Sequence, residues 1–599
     1  MKPDELPFRE IILYDFEFAA PPGERPRPVC LVYRELRAGI ERRVWRDELL
    51  TMPAPPFGTG DETLCVAYYA SAEVGCHLAL GWRPPTCLLD LFTEFRNQTN
   101  GLSLPCGNGL LGAAAYFGVP TMSAEDKDGL RELAQQGSWT DDERRALLDY
   151  CATDVEVLAR VLPHIVAPMT MADLGRALLR GRYMSAAARI EFAGVPIDVD
   201  ALTELQAGWD VIKHRLIEEV DRDYGAYNGT SFSIARFERW LAVRDIAWPR
   251  TATGQPALDD DTFKEMAKSH SELEPLRQLR HALGQLRLHD LAVGADGRNR
   301  TLLSAFRSAT GRNQPSNTKF IFGPAVWLRS LMRPEHNHGL AYIDFSQQEF
   351  AIAASLSNDP NMLAAYESGD PYLSFAVQAG AVPSTATKSS HREIREQFKV
   401  CALGVLYGMG ANALAAKLGG DTAEAAYLLE LHRRTFPRYW RWSANAVDRA
   451  VLTGSTSTVF GWTVRVGPKT TPTSLMNFPM QATGAEILRL ACIVMTEIGI
   501  EVCAPVHDAV VIHSRLQDID EHVEVAQEVM AWASSVVLGG LRLRSDTKIV
   551  RYPDRYEDER GRAMWNLVWR LLSESGERQP ASASRPLRSP VHAHRACAH

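Results

Sequence analysis

Between Arg395 and Gly408 the chain reads REQFKVCALGVLYG, and Arg395, Lys399, Leu403 and Tyr407 recur every four residues, with His391 one step earlier. At 3.6 residues per turn these positions form one slowly drifting stripe on a helix. From Arg395 to Tyr407 the stripe is about 18 Å long, at 1.5 Å per residue. Its chemistry passes from cations through an apolar residue to an aromatic ring, the order in which a nucleoside triphosphate presents phosphates, sugar and base. A helix with a solvated basic end and a buried apolar end has the same pattern. Two carboxylates in distinctive settings, Asp344 upstream and Asp508 downstream, favour the first reading.

Around Asp344 the sequence GLAYIDFSQQEFAIAASLS passes from an apolar strand to an amphipathic helix. A carboxylate at a strand end is held by the rigid sheet and exposed by the loop, although Asp344 or Ser346 would also serve as a helix N-cap. In IEVCAPVHDAVVIHS two short β-type runs flank His507 and Asp508, which places Asp508 at a hairpin tip. If those strands lie beside the one ending at Asp344, the two carboxylates meet. Such a pair suits Mg²⁺, which takes one or two carboxylates together with substrate phosphates.

Near the start, IILYDFEF (residues 11–18) reads as a buried strand ending in alternating acids, so Asp15 and Glu17 point to one side. A DxE pair of this kind is a divalent-metal site or a solvent-facing edge. LCVAYYASAEVGCHLALGW enters a helix near Glu73, and TCLLDLFTEFR carries Asp90 and Glu94. In the amphipathic segment ERRALLDYCATDVEVLARVL, Tyr150 and Asp154 are four apart and share a face. Residues 173–291 have a helical pattern, and Arg277, Arg280 and Arg287 are basic positions that would follow a phosphate backbone or simply face solvent. GADGRNR at 294–300 reads as a tight turn between extended segments.

Length and composition set the outer limits. The 599 residues exceed one core and suggest roughly three to five domains. With 46% hydrophobic and 23% charged residues this is an ordinary globular composition, and a net charge of −8 confines any basic surface to a groove. Ten cysteines include no CxxC pair, so neither a zinc site nor a disulfide framework is indicated, which suits a reducing compartment. No signal pattern opens the chain and no apolar run reaches the ~18–20 residues of a membrane span, so a soluble cytoplasmic protein is expected.

Taken in order, IDFSQQE, RxxxKxxxLGVLYG and VHD resemble motifs A, B and C of family A DNA polymerases, the bacterial DNA polymerase I type, and TGR and NFPMQATGAE resemble its flanking motifs. The DxE strand, Glu73 and the YxxxD helix resemble the 3′–5′ proofreading exonuclease domain of the RNase H-like fold. The likeness runs from residue 8 to about 555 and implies a multi-domain α/β and α+β chain, an exonuclease domain followed by a right-hand polymerase. The implied divisions are a 3′–5′ exonuclease-like domain at 1–170, connector and helical thumb at 171–293, and a first palm segment with motif A at 294–358. Fingers with motif B follow at 359–445, a second palm segment with motif C at 446–572, and a disordered basic tail at 573–599, where four Arg and no acid follow Glu577. The family's separate 5′ nuclease domain is expected to be absent, there being no room before Asp15, which makes a phage-encoded form attractive beside a bacterial one.

The resemblance further implies a DNA-templated DNA polymerase of replication or repair, with two Mg²⁺ ions in each of two sites. Asp344, the carbonyl of Phe345 and Asp508 would be the polymerase metal ligands. Asp15, Glu17, Glu73 and Asp154 would hold the exonuclease metals, with Tyr150 beside the attacking water. Arg395 and Lys399 match phosphate-binding cations, Lys399 also a proton donor to pyrophosphate. Glu349 matches the residue that bars a ribose 2′-hydroxyl, Tyr407 the ring beside the template base, and Gln347 and Leu403 complete the nucleotide-binding set. Arg312, Asn477 and Gln481 match minor-groove contacts, and His507 a residue that holds the primer end. Implied partners are primer–template DNA, deoxynucleoside triphosphates and replication accessory proteins, for a monomer with no membrane.

Four positions depart from the pattern. Tyr69 and Glu73 stand where the exonuclease family has Asn and Asp, so an inactive nuclease is an open alternative. Ala509 follows the His-Asp pair where the family often has Glu. Leu403 replaces the usual Phe or Tyr, so poor dideoxynucleotide incorporation is expected, and efficient chain termination in primer extension would contradict it. A single-subunit phage-type RNA polymerase shares the palm, but Glu349 and the exonuclease-like region count against it. A non-catalytic DNA-binding scaffold is opposed by the retained Asp344, Asp508, Arg395 and Lys399.

Overall fold

The computed structural model describes residues 1–121, 124–251, 253–285, 288–323 and 325–576. The chain forms two compact units, one of Met1–Ile197, Leu291–Gly323 and Met332–Arg555, the other of Asp198–Asp290, Pro324–Leu331 and the chain from Tyr556.

In the first unit the apolar run at residues 11–18 becomes β1 (Glu10–Ala19), the centre of a five-stranded sheet. Its neighbours are β2 (Arg27–Glu35), β3 (Ile40–Trp45), β4 (Thr63–Ala67) and β5 (Cys87–Asp90), in the order β3-β2-β1-β4-β5. The β1–β2 and β2–β3 pairs are antiparallel, while β1–β4 and β4–β5 are parallel. Alternate residues of β1 enter two different cores, Ile11 and Leu13 one and Ile12, Tyr14 and Phe16 the other. A strand covered on both faces reads as a continuous apolar run, as this one does.

The connections supply helices α1 (Ser71–Ala79), α2 (Leu91–Thr99), α3 (Asp141–Val166) and α4 (Met171–Ala193). Capping boxes start the last two, Thr140 with Glu143 and Thr170 with Asp173. Arg180 of α4 grips Glu94 of α2 through two bonds of 2.7 and 2.8 Å, both residues buried, and also donates to the carbonyl of Phe460 at 2.9 Å. Glu94→Ala strands a buried guanidinium and is expected to cost about 3–5 kcal/mol, measured by urea unfolding.

A second sheet holds β6 (His338–Phe345), β7 (Glu501–Val506), β8 (Ala509–Arg515) and β9 (Ser545–Arg551), antiparallel in the order β7-β8-β6-β9. Around it lie α5 (Gln348–Ser357), α6 (Arg392–Leu406), α7 (Pro472–Glu497) and α8 (Ile519–Val537). One apolar cluster joins Phe16 of the first sheet to Ile343 of β6, Phe350 of α5, Phe398 of α6 and Ile487 of α7.

The second unit is helical, with Val199–Ala207, Trp209–Asp221, Ile234–Val243, Asp260–Ser269, Glu274–Gln285 and Glu559–Gly576. Trp209 stacks on Trp327, and Phe237 packs with Trp240, Trp248 and Phe263. Two of the basic positions considered for a phosphate backbone are committed inside this unit. Arg277 pairs with Glu274 at 2.7 Å, and Arg280 lies over Phe232 and Phe263 while donating to the Leu258 carbonyl. Arg287 lies outside the described residues. The tail expected from residue 573 is helical as far as Gly576, and 577–599 lie outside the described residues. Among the described residues no helix is long and apolar enough to cross a membrane.

Candidate active site

Strand β6 carries its apolar residues into the sheet and ends at Asp344 and Phe345. β7 and β8 form a hairpin in which Val506 pairs with Ala509, so His507 and Asp508 are the two turn residues. His507 has φ +57°, a left-handed conformation that suits a two-residue turn. β8 lies beside β6 with Ala509 opposite Asp344, and the amide of Phe345 donates to the Asp508 carbonyl at 3.2 Å. The two carboxylates therefore meet. Neither Asp344 nor Ser346 caps α5, because the N-cap is Gln347 at φ +53°.

Burial, then the charge of Asp508 and a hydrogen bond with it, push Asp344 up to about 7, with Asp546 adding to the effect. Among the described residues Asp344 Oδ1 is buried and has no hydrogen-bond partner. A carboxylate held up by burial and by a second carboxylate beside it, with an oxygen left over, fits a divalent ion. The sign of the linkage follows. Between about pH 4 and 7 the metal-free folded chain holds a proton that the unfolded chain has released, so its stability falls as pH rises through that window. In EDTA, Tm is expected to decline across it, and Mg²⁺ is expected to raise Tm more at pH 8 than at pH 5, where protons compete for the site.

The cleft that the carboxylates line is lined too by the stripe that runs along α6, through Arg395, Lys399, Leu403 and Tyr407. Arg312, Phe345, Gln347, Glu349, Gln481 and His507 line the same cleft. Arg395 is buried, donates to Asp370 and to Glu396 at 2.5 Å each, and lies 5.6 Å from the ring of Tyr372. Lys399 is half-exposed and 3.8 Å from Glu396. The Tyr407 hydroxyl donates to Glu349 at 2.7 Å, and Arg312 stands 3.6 Å from the same carboxylate oxygen. Leu403 is partly buried against the core. Asn477 is the exception among the expected residues, because it does not line the cleft and its Oδ1 is buried without a partner.

Sequence reasoning missed Asp546, Asp370 and Tyr372. Asp370 reads as the N-cap that it also is, accepting from the Leu373 amide, and its second oxygen holds Arg395. Asp546 sits opposite Asp344 on β9, and only strand register reveals it.

At the first sheet, Asp15 and Glu17 of β1, Glu73 of α1 and Tyr150 and Asp154 of α3 come together. Glu73 is buried, accepts from the Phe16 amide at 2.8 Å, and is held well above the usual carboxylate range by burial and by the charge of Asp15. Burial, and then Glu17 and Asp154, push the Tyr150 phenol up. The Cys151 thiol, unremarked in the sequence, donates to the Asp15 carbonyl at 3.1 Å and lies 3.3 Å from its Oδ2. Ligand atoms of Asp15, Glu17 and Cys151 lie within 4.8 Å of one another, close enough to hold one ion. Asp90 is committed to a helix cap. It is buried and accepts from the amides of Tyr69, Ala70 and Phe92 and from the Thr93 hydroxyl. Tyr69, at φ +68°, gives its backbone to that cap.

The model of DNA polymerase family A matches residues 245–550. DNA polymerase I of Aquifex aeolicus is 25% identical over 433 residues, 66% of this chain and 73% of that protein. The thermostable DNA polymerase I of Thermus thermophilus is 26% identical over 372 residues, 57% of this chain and 44% of that protein. The chain thus spans less than half the length of the Thermus relative. Among solved structures, the POL domain of Pol1 from M. smegmatis, in complex with DNA primer-template and dNTP, is similar in fold. Its TM-score is 0.69 at 20% identity, covering 91% of this chain and 96% of that one.

Proposed function

Because the chain belongs to DNA polymerase family A, we propose that it extends a DNA primer on a DNA template, adding deoxynucleotides to the 3′ end. The observation that carries this reading is the Asp344–Asp508 pair and the Arg395–Lys399–Leu403–Tyr407 stripe lining one cleft. Asp344 and Asp508 would hold Mg²⁺, with the Phe345 carbonyl as a further ligand. When bound, it supplies Lewis acidity toward the primer hydroxyl and neutralises charge on the departing pyrophosphate.

The chain's own residues set the geometry. Arg395 and Lys399 lie a helical turn apart on α6 and would bind successive phosphates. To do so Arg395 exchanges Asp370 and Glu396 for phosphate oxygens, so the acids pre-align the guanidinium before substrate enters. Lys399, half-exposed beside Glu396, would give a proton to pyrophosphate. Glu349 is fixed by Tyr407 and Arg312, and a carboxylate held there bars a ribose 2′-hydroxyl. Arg312, Gln481 and His507 would meet the primer–template, where minor-groove contacts sense base-pair shape rather than sequence. In this reading 294–358 and 446–572 form the palm, 359–445 the fingers and 171–293 the connector and thumb.

A second activity has its own support. Convergence of Asp15, Glu17, Glu73, Asp154 and Tyr150 favours a 3′–5′ exonuclease of RNase H-like fold within residues 1–170, with Glu73 in place of the shorter acid. The test of both is a labelled primer–template with Mg²⁺. Extension with the four deoxynucleotides supports the polymerase and its absence overturns it; shortening without them supports the nuclease.

A further inference from the structure

We infer that Asp546 is a third carboxylate of the polymerase metal site, a ligand-shell residue supplied by β9. The inference rests on the metal-site reading of Asp344 and Asp508. Asp344 has two cross-strand partners, Ala509 on β8 and Asp546 on β9. Residues directly opposite on antiparallel strands point to the same face with Cβ atoms about 5 Å apart, and like charges there repel. Asp546 also lines the cleft with Asp344 and Asp508. Among the described residues none of the three carboxylates has an ion-pair partner, although cations stand nearby on α6. Three acids gathered without a protein cation need one from solution.

The placement of Asp546 is built. Its Oδ2 accepts from the Ser346 hydroxyl at 2.6 Å, and the Ser346 amide is itself tied to the Arg544 carbonyl at 2.8 Å. The same residue that follows the metal-ligand strand thus orients the β9 carboxylate through one of its two oxygens. Held this way, Asp546 adds negative charge to the shell at a fixed place, either directly on the ion or on a water bound to it. Both arrangements tighten the ion, and loss of an outer-shell partner lowers metal affinity by about 10–100-fold.

The test measures Mn²⁺ binding by the loss of the free-ion electron paramagnetic resonance signal. The full chain carries Asp15→Ala, Glu17→Ala and His338→Ala throughout, which silences the two other candidate ion clusters among the described residues, Asp15–Glu17–Cys151 and Glu335–His338–His513. Asp344→Asn is expected to abolish binding, Asp546→Asn to weaken it about tenfold, and Ser346→Ala, which keeps the charge but frees it, about threefold. In EDTA, Asp546→Asn is expected to raise Tm, because it removes repulsion, and to lose part of the Mn²⁺-induced rise. A merely structural aspartate would lower Tm and leave Mn²⁺ affinity unchanged, which overturns the assignment. Binding lost in Asp344→Asn but intact in Asp546→Asn overturns the role of Asp546 alone. Binding that survives both overturns the metal-site reading beneath it.

Discussion

Asp508→Ala is expected to lower primer extension by about 1,000-fold or more, a loss of about 4 kcal/mol of transition-state stabilisation, without unfolding the protein. The two halves of this expectation have separate causes. The turn is held through backbone, with the Phe345 amide donating to the Asp508 carbonyl and Val506 paired to Ala509, and alanine keeps both. The carboxylate itself contributes repulsion, being the largest neighbouring charge that raises Asp344 after burial. Its removal lowers Asp344 toward the ordinary aspartate range, so Tm in EDTA holds or rises while the metal site loses half of its pair. Primer–template affinity, read by fluorescence anisotropy, is expected to stay near wild type, since Arg312, Gln481 and α6 are untouched. Extension at the wild-type rate by Asp508→Ala would remove the carboxylate pair from the chemistry.

The features of this site that the sequence discloses are those where burial and charge conflict locally. An apolar run that stops at an acid, as in LAYI before Asp344, places that acid at the end of a strand, because the sheet core cannot take it, whereas Asp15 lies inside β1, which runs on to Ala19. The α6 stripe is legible for a related reason, since its residues recur at helical spacing. Asp546 is not legible. It lies in SDTKIVR, an edge strand whose alternating polar residues read as an ordinary solvated face. What brings it into the site is its register against β6, which depends on pairing across some 200 residues of chain. Asp370 is hidden differently, because an Asp before Pro at a helix start is fully accounted for as an N-cap. Cys151 is hidden because a buried cysteine on a helix facing a sheet is ordinary packing until Asp15 is seen beside it. In the other direction, Arg280 reads as an exposed cation in sequence, yet two phenylalanine rings and a carbonyl hold it in the helical unit. Long apolar stems allow a cation to be structural, and periodicity does not register that use.

Asp15→Ala is expected to abolish shortening of a labelled primer in the absence of deoxynucleotides, by about 1,000-fold, while leaving extension by the same protein near wild type. Asp15 lies on β1 of the first sheet, whereas Asp344 lies on β6 of the second and Asp508 in the turn that leads into β8. Within this acidic cluster Asp15 is the acid that bears most on Glu73 after burial, so its removal lets Glu73 ionise more readily. The Cys151 thiol keeps its bond to the residue-15 carbonyl, and β1 keeps its pairing to β2 and β4. Loss of shortening in a protein that melts normally therefore reports the metal chemistry and not the sheet. Glu73→Gln refines the argument, because a glutamine side chain still accepts from the Phe16 amide but cannot carry charge. If Glu73 serves as a metal ligand, its glutamine form loses shortening nearly as completely as Asp15→Ala. Full shortening with Glu73→Gln would confine that residue to bracing β1, and the ion would then rest on Asp15, Glu17 and Asp154. A primer that stays intact with the unaltered chain would mean that the cluster persists as a packed acidic core whose buried Glu73 remains protonated.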